Sequence, residues 1–446
     1  SKEQKLSVLM LPWLGQGHLI PFLDLAKKLS ERNFNIYICS SPANLDPIRE
    51  KVSQMNLDSI QLIDLHLPIL PDLPTYYHTT KGLPPNRIFS LFEAFDKSAP
   101  NFSNILETLK PNLVIYDFFQ PWAPKLALSH NIPSVLFMIV NATCISFALH
   151  FTKNAAIDFP SKAIYLHDYQ NPNYNHILYC IKNGVNDVQR ILGCLKYSSE
   201  IVLVKTFREI EGKYIDYFES IVGKKIVPLG GTFVSNPIDN DEEDETIKWL
   251  NKKRALSTVF VSFGSEYYLS KEEIEELAHG LEQSNANFIW VIRFPLGSAI
   301  NIEEELPKGF SERVKERGMI VTGWAPQMKI LSHSSIGGFV SHCGWGSVME
   351  SLMFGVPIIG IPIQVDQPLN AKLVEEIGVG KEIVRDSEGK LHREVVEKVV
   401  KQVLFEESGE ELRRKAKELS EEICKKKGEE EIDELVEKFV QLCGKK

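Results

Sequence analysis

Leu6-Ser7-Val8-Leu9-Met10-Leu11 runs straight into Pro12-Trp13-Leu14-Gly15-Gln16-Gly17-His18, after which Leu19, Phe22, Leu23, Ala26 and Leu29 recur at helical spacing. The continuous apolar run reads as a buried strand, and the period that follows reads as a helix packed by one stripe. The same alternation continues outward, with strands over 35–40, 60–64, 113–116 and 134–138 and helices over 45–52, 89–109 and 122–130. Strands alternating with helices predict βαβ units, and hence a parallel sheet covered on both faces.

The rhythm blurs over 139–200, and the stretch 65–85 carries five prolines together with Tyr76, Tyr77 and His78. Long irregular stretches of this kind read as functional loops. Pro228-Leu229-Gly230-Gly231 then leads into 239–245, where six of seven residues are acidic. That run reads as a solvated linker or helix start. Beyond it the alternation restarts, with strands over 258–262, 288–292, 319–322, 336–341 and 358–361, helices over 271–283 and 347–354, and charged amphipathic helices from Arg393 onward. The fold class expected is α/β, as two doubly wound domains joined by a linker.

Composition narrows the function. Hydrophobic residues make up 43% of the 446-residue chain and charged residues 24%, as in an ordinary globular protein. The net charge of −9 excludes broad nucleic-acid binding. Seven cysteines, without a CxxC pair, read as reduced thiols rather than a disulfide frame or zinc site. No apolar run reaches the ~20 residues that span a bilayer, and the charged start lacks a secretory core. A cytoplasmic chain with no membrane span is expected.

At the first strand-to-helix turn, Gly15 and Gly17 permit close backbone approach, and the helix start favours negative charge. As a dinucleotide fingerprint the turn fails: Ile20 stands where a third glycine belongs, and no acidic residue closes the strand over 35–40. A histidine such as His18 at a strand's carboxyl end is, alone, more often structural. Asp117 changes this, because it follows the fourth strand, and strands one and four flank the crevice of a doubly wound sheet. A carboxylate beside an imidazole fixes its tautomer and makes the other ring nitrogen a competent base. The competing reading makes Asp117 an N-cap ahead of Trp122.

The densest signal runs from Gly323-Trp324-Ala325-Pro326-Gln327 through Ser341-His342-Cys343-Gly344-Trp345-Gly346-Ser347 to Glu350 and Asp366-Gln367. Trp324 offers a face for a base, and a Gly/Ser turn opens a helix where backbone N–H groups can hold phosphate. This stretch resembles the donor-binding signature of the plant UDP-sugar-dependent glycosyltransferases of small molecules, and the likeness extends along the whole chain. The resemblance implies a GT-B fold of two facing Rossmann-like domains. The first, 1–228, would bind the acceptor and be rejoined by a final helix over 429–446; 229–245 would be the linker and 246–428 the UDP-sugar domain. It further implies that Trp324 stacks on uracil, that the Ala325 backbone meets the uracil edge, and that Gln327 and Glu350 hold the ribose. His342, Gly344, Ser347, Gly17 and Ser265 would meet the diphosphate; Trp345, Asp366 and Gln367 would meet the sugar. His18 matches the family's general base and Asp117 its partner, and Gln367 leans towards glucose.

One position departs: Gly346 stands where the family usually has an asparagine that touches the α-phosphate, which implies weaker donor binding. Pro12-Trp13-Leu14-Gly15-Gln16-Gly17-His18, Ser30-Glu31-Arg32-Asn33-Phe34, Ser265-Glu266-Tyr267 and Arg293-Phe294-Pro295 are similar to the branch-forming subgroup, which adds sugar to a sugar already on a flavonoid, terpenoid or lignan. The expected activity is inverting glucosyl transfer from UDP-glucose to such a glycoside, by a monomer without cofactor or metal. Asp239-Asn240-Asp241 has the DxD spacing of metal-dependent transferases but sits in the linker. Candidate acceptor contacts are Tyr77, His78, Phe118, Trp122, Asn141 and His150. Transfer to an aglycone, a non-catalytic nucleotide-sugar binder and a nicotinamide oxidoreductase are the rival readings.

Overall fold

The computed structural model describes residues 5–54, 58–152, 157–234, 244–265, 267–295, 300–425 and 428–444. Asp239–Asp241 and Glu266 lie outside the described residues. Two compact units are present: 1–160, 175–234 and 426–446 form one, and 161–174 with 235–425 form the other.

The first unit is a seven-stranded parallel sheet of β1 (Leu6–Leu11), β2 (Phe34–Ser40), β3 (Ile60–Asp64), β4 (Leu113–Tyr116), β5 (Ser134–Met138), β6 (Ile201–Val204) and β7 (Lys225–Pro228), ordered β3-β2-β1-β4-β5-β6-β7. β1, β4 and β5 are almost wholly buried, as their unbroken apolar runs require. The helix 16–30 lays Leu19, Phe22, Leu23, Ala26 and Leu29 on the sheet, and all five are fully buried. The helix Gly428–Gly444 belongs to this unit and buries Ile432, Leu435 and Phe439 in the same core. Lys28 pairs with Glu429 at 2.8 Å, and Thr232 donates its N–H to Glu431 at 2.7 Å.

The second unit has a six-stranded parallel sheet of β8 (Thr258–Ser262), β9 (Asn287–Val291), β10 (Gly318–Val321), β11 (Ile336–Ser341), β12 (Ile358–Gly360) and β13 (Gly380–Glu382), ordered β10-β9-β8-β11-β12-β13. Each sheet reverses its strand order once, beside β1 in one and β8 in the other. Open α/β sheets bind ligands at the strands' carboxyl ends at such a reversal.

The structure differs from the sequence reading in three places. The helix expected over 89–109 is two, Ile88–Lys97 and Ala99–Leu109, because Pro100 cannot donate a backbone hydrogen bond and Ser98 turns its hydroxyl onto Phe95 O. The blurred stretch 139–200 holds the helices Ala142–Thr152, Asn171–Tyr179 and Asp187–Tyr197. The segment 161–174, ahead of the boundary drawn at 228, packs in the second unit. There Lys372 lies 4.5 Å over the Tyr165 ring and His167 approaches the buried Glu382 carboxylate at 3.4 Å. Among the described residues no helix is long and apolar enough to cross a membrane.

Candidate active site

β1 and β4 are in register from Val8 with Leu113 to Leu11 with Tyr116, so the residues after them emerge side by side. Asp117 N donates to Leu11 O at 3.2 Å, which fixes the backbone of the crossing point. The Asp117 carboxylate is fully buried. Its Oδ1 accepts from Phe118 N at 2.9 Å, and its Oδ2 accepts from Trp13 N at 3.0 Å and lies 2.7 Å from His18 Nδ1. The N-cap of the 122–129 helix is Pro121, so Asp117 is spent on the histidine and not on that helix. With Nδ1–H donated to the carboxylate, Nε2 carries the lone pair that can take a proton. The His18 side chain keeps 19% of its surface exposed, so the imidazole is reachable while its carboxylate is not.

The ring is walled by Phe118 and Phe119, with centroids 5.5 and 6.0 Å away. Phe119, which the sequence reading missed, also packs edge-on against Trp13 at 5.3 Å. Gln120 was missed as well; its Nε2 donates to Leu11 O at 2.7 Å, clamping the end of β1. Both lie within three residues of Asp117, and that proximity was the available signal. Gly17 lies in the first turn of the helix, where an added Cβ would meet nothing within 4 Å.

In the second unit Gln327 opens a short helix and donates its amide to Glu350 Oε2 at 2.6 Å and Ser347 Oγ at 3.2 Å. Three residues of the signature, separated in sequence, are thereby one polar cluster. Trp324 leaves 72% of its surface exposed, which offers a broad aromatic face to a ligand, and Ala325 beside it is half-buried. β8 and β11 end in register at Ser262 and Ser341. Beyond them stand Gly264, exposed Ser265 and His342. Burial alone lowers the His342 pKa to about 4, so the ring is neutral, and its Nδ1 has no hydrogen-bond partner among the described residues. A Cβ on Gly344 would sit 2.6 Å from His342 Nε2, so this position must be glycine for the imidazole to occupy its place.

Gly344 is the N-cap of the helix Trp345–Met353. The first N–H groups of a helix have no intrahelical acceptor and favour anions. The Trp345 ring is buried, whereas a Cβ on Gly346 would enter open space. Asp366 Oδ2 accepts from Asn370 Nδ2 at 2.8 Å, and Gln367 Oε1 accepts from Ile363 N and Gln364 N, both at 3.0 Å. Those bonds orient the Gln367 amide and leave its NH2 group as the donor.

Residues 4–230 match the family model "Glycosyltransferase, N-terminal domain", and residues 230–423 match "UDP-glucoronosyl and UDP-glucosyl transferase". Mogroside IIIx synthase of Siraitia grosvenorii is 52% identical over 439 residues, covering 96% of this chain and 92% of that protein. The flavanone 7-O-glucoside 2''-O-beta-L-rhamnosyltransferase of Citrus maxima is 46% identical over 447 residues, covering 99% and 98%. The chain belongs to the plant UDP-glycosyltransferase family. Its fold is GT-B: a UDP-glucosyltransferase from Polygonum tinctorium capable of glucosylating indoxyl superposes with a TM-score of 0.82 at 26% identity, covering 100% of both chains.

In this UDP-glycosyltransferase the six acceptor candidates are held in different ways. Phe118 adjoins the His18 ring. Tyr77 packs on exposed Tyr76 at 4.5 Å. His78 is buried, which lowers its pKa, and its Nε2 has no partner among the described residues. Its loop reaches the first turn through Thr80 N, which donates to Leu14 O at 2.7 Å. Trp122 donates to Asp96 at 3.1 Å and packs edge-on between Phe95 and Phe102. Asn141 Oδ1 accepts from Cys144 N at 2.9 Å, and His150 Nδ1 lies 2.5 Å from Tyr217 OH. Among the described residues, Glu276, His392 and Glu394 are spaced to suit a metal ion, yet Arg393 already pairs with Glu276.

Proposed function

We propose that this enzyme is an inverting UDP-glucose-dependent O-glucosyltransferase that extends the sugar of a flavonoid, terpenoid or lignan glucoside. The observation that carries the chemistry is the buried Asp117 carboxylate 2.7 Å from Nδ1 of a reachable His18. Nε2 takes the acceptor hydroxyl proton as the oxygen attacks the anomeric carbon on the face opposite UDP. Asp117 stabilises the imidazolium that forms, and general-base assistance of this kind contributes ~10²–10⁴-fold. Negative charge gathers on the leaving diphosphate, which the N–H groups of the helix starting at Trp345, Ser265 and the neutral His342 are suited to receive. Preorganised donors of this kind supply ~3–4 kcal/mol each. Trp324, Ala325, Gln327 and Glu350 hold the uridine in this reading, and Asp366 and Gln367 hold the glucose.

The choice of a glycoside acceptor is supported by relatives that extend sugars. Besides the Citrus maxima enzyme above, the beta-D-glucosyl crocetin beta-1,6-glucosyltransferase of Gardenia jasminoides is 45% identical over 437 residues, covering 97% of this chain and 98% of that protein. The seven free cysteines support a reducing, cytosolic setting, and we read the active species as a monomer. Paired assays with UDP-glucose and either a flavonol or its glucoside, read by product mass and UDP release, test the proposal. Disaccharide product from the glucoside is expected; monoglucoside from the flavonol alone would make the enzyme an aglycone glucosyltransferase.

A further inference from the structure

The second unit contains a cavity of about 240 Å³ whose lining residues, those at 362–365 within the signature included, carry none of the assigned donor contacts. One wall is the loop Pro362-Ile363-Gln364-Val365, which ends at Asp366-Gln367. That wall is bonded to the sugar-holding pair, because Ile363 N and Gln364 N both donate to Gln367 Oε1 at 3.0 Å. Val365 adopts φ +58°, a left-handed conformation that is strained for a β-branched residue and persists where the surroundings impose it. The opposite wall is the segment 161–174, which brings Tyr169, Gln170 and Asn173. It is held there by Lys372, whose Nζ lies 4.5 Å over the Tyr165 ring, and by His167, which approaches the buried Glu382 carboxylate at 3.4 Å.

The chemistry of the lining selects a class of ligand. Arg385 lies 2.8 Å from Glu273, and its Nη1 donates to Gly389 O at 3.2 Å, so its charge is neutralised and an anion finds no spare cation. Tyr267 donates to Glu273 at 3.2 Å. Burial, foremost, pushes the phenols of Tyr169 and Tyr267 up to about 12, so both stay neutral hydroxyls. Gly389, at φ +79°, brings no side chain to the Tyr169 ring, where a Cβ would stand 3.3 Å from Cδ2. Aromatic rings, amides and an internally paired charge suit a neutral polyol, with C–H faces on the rings and hydroxyls on the amides.

We propose that this cavity is a carbohydrate subsite that takes the sugar already carried by the acceptor. The proposal rests on the sugar-extending reading above and assigns that sugar to residues of the second unit. The test is saturation-transfer NMR of methyl β-D-glucoside with the full chain saturated with UDP, comparing wild type, Asn173→Trp, Gln364→Trp and Asp366→Asn. Asn173 and Gln364 are exposed at the cavity rim, so a tryptophan at either can fill it without rebuilding the core. Both tryptophan variants are expected to lose most of the signal while Asp366→Asn keeps it, with wild-type melting temperatures as the control for folding. In turnover, their KM for a glucoside acceptor should rise about tenfold, the equivalent of ~1.4 kcal/mol. No saturable binding by wild type, or loss in Asp366→Asn alone, would overturn the subsite. Glucosides that are turned over with unchanged KM by both tryptophan variants would overturn it too, and leave the sugar-extending function standing. Absence of glucoside turnover by wild type would remove both.

Discussion

Restoring an asparagine at position 346 should tighten the grip on the nucleotide. Gly346 is the second residue of the helix Trp345–Met353, has helical backbone angles, and a Cβ there would meet nothing within 4 Å. The new side chain therefore displaces nothing, and the whole effect is the hydrogen bond gained minus the freedom lost. A hydrogen bond to a charged phosphate oxygen contributes about 1.5–3 kcal/mol. Ordering one polar side chain costs ~0.5–1.5 kcal/mol. The central values leave about 1 kcal/mol, which at 1.4 kcal/mol per decade lowers the UDP Kd about fivefold. Isothermal titration of UDP into wild type and Gly346→Asn reads this directly, because UDP lacks the glucosyl group whose contacts could confuse the comparison. Unchanged or weaker UDP affinity, in a variant that melts at the wild-type temperature, would refute the account of the diphosphate site.

His18→Ala should lower kcat at least ~10²-fold at saturating donor and acceptor, and near wild-type turnover would remove the base assignment. Asp117→Asn should lose less, since an amide oxygen can still orient Nδ1–H but cannot offset the imidazolium charge; a loss exceeding that of His18→Ala would contradict this. Protonation of His342 is disfavoured in the fold, where its pKa is about 4 against an ordinary value near 6.5. The unfolded chain therefore takes up the proton first, and stability present at pH 7 is lost as the pH falls through 6.5 towards 4. Between pH 7 and pH 5 the loss is about 2 kcal/mol. The gap between wild type and His342→Gln in urea unfolding should shrink by that amount, and parallel pH dependences would refute it.

The parts of the fold legible in the sequence were strands buried on both faces and helices buried along one stripe. β1, β4 and β5 are runs of apolar residues with no ambiguity of face, and the helix 16–30 repeats its stripe without interruption. The helix Ala142–Thr152 escaped for the opposite reason: eight of its residues are buried, all round the helix rather than along one stripe, so no periodic contrast marks it. Asn171–Tyr179 has no buried residue and gives no contrast either. The break at Ser98 was present as Pro100, but the apolar pattern ran through it.

Local sequence determined the chemical inventory: a histidine at the first turn, a carboxylate after the fourth strand, a Trp–Gln–Glu series around a glycine-rich helix start, and the glycine that replaces asparagine at 346. Each is readable because strand ends and helix starts are set by short-range patterns. The tertiary structure decided which of these groups meet. The parallel register of β1 and β4 closes a gap of ninety-nine residues to bring Asp117 to 2.7 Å from His18. The folding of 161–174 into the second unit builds a cavity wall that no local pattern announces. Pairings at such separations depend on the summed burial of two whole sheets, and that quantity is carried by no single stretch of chain.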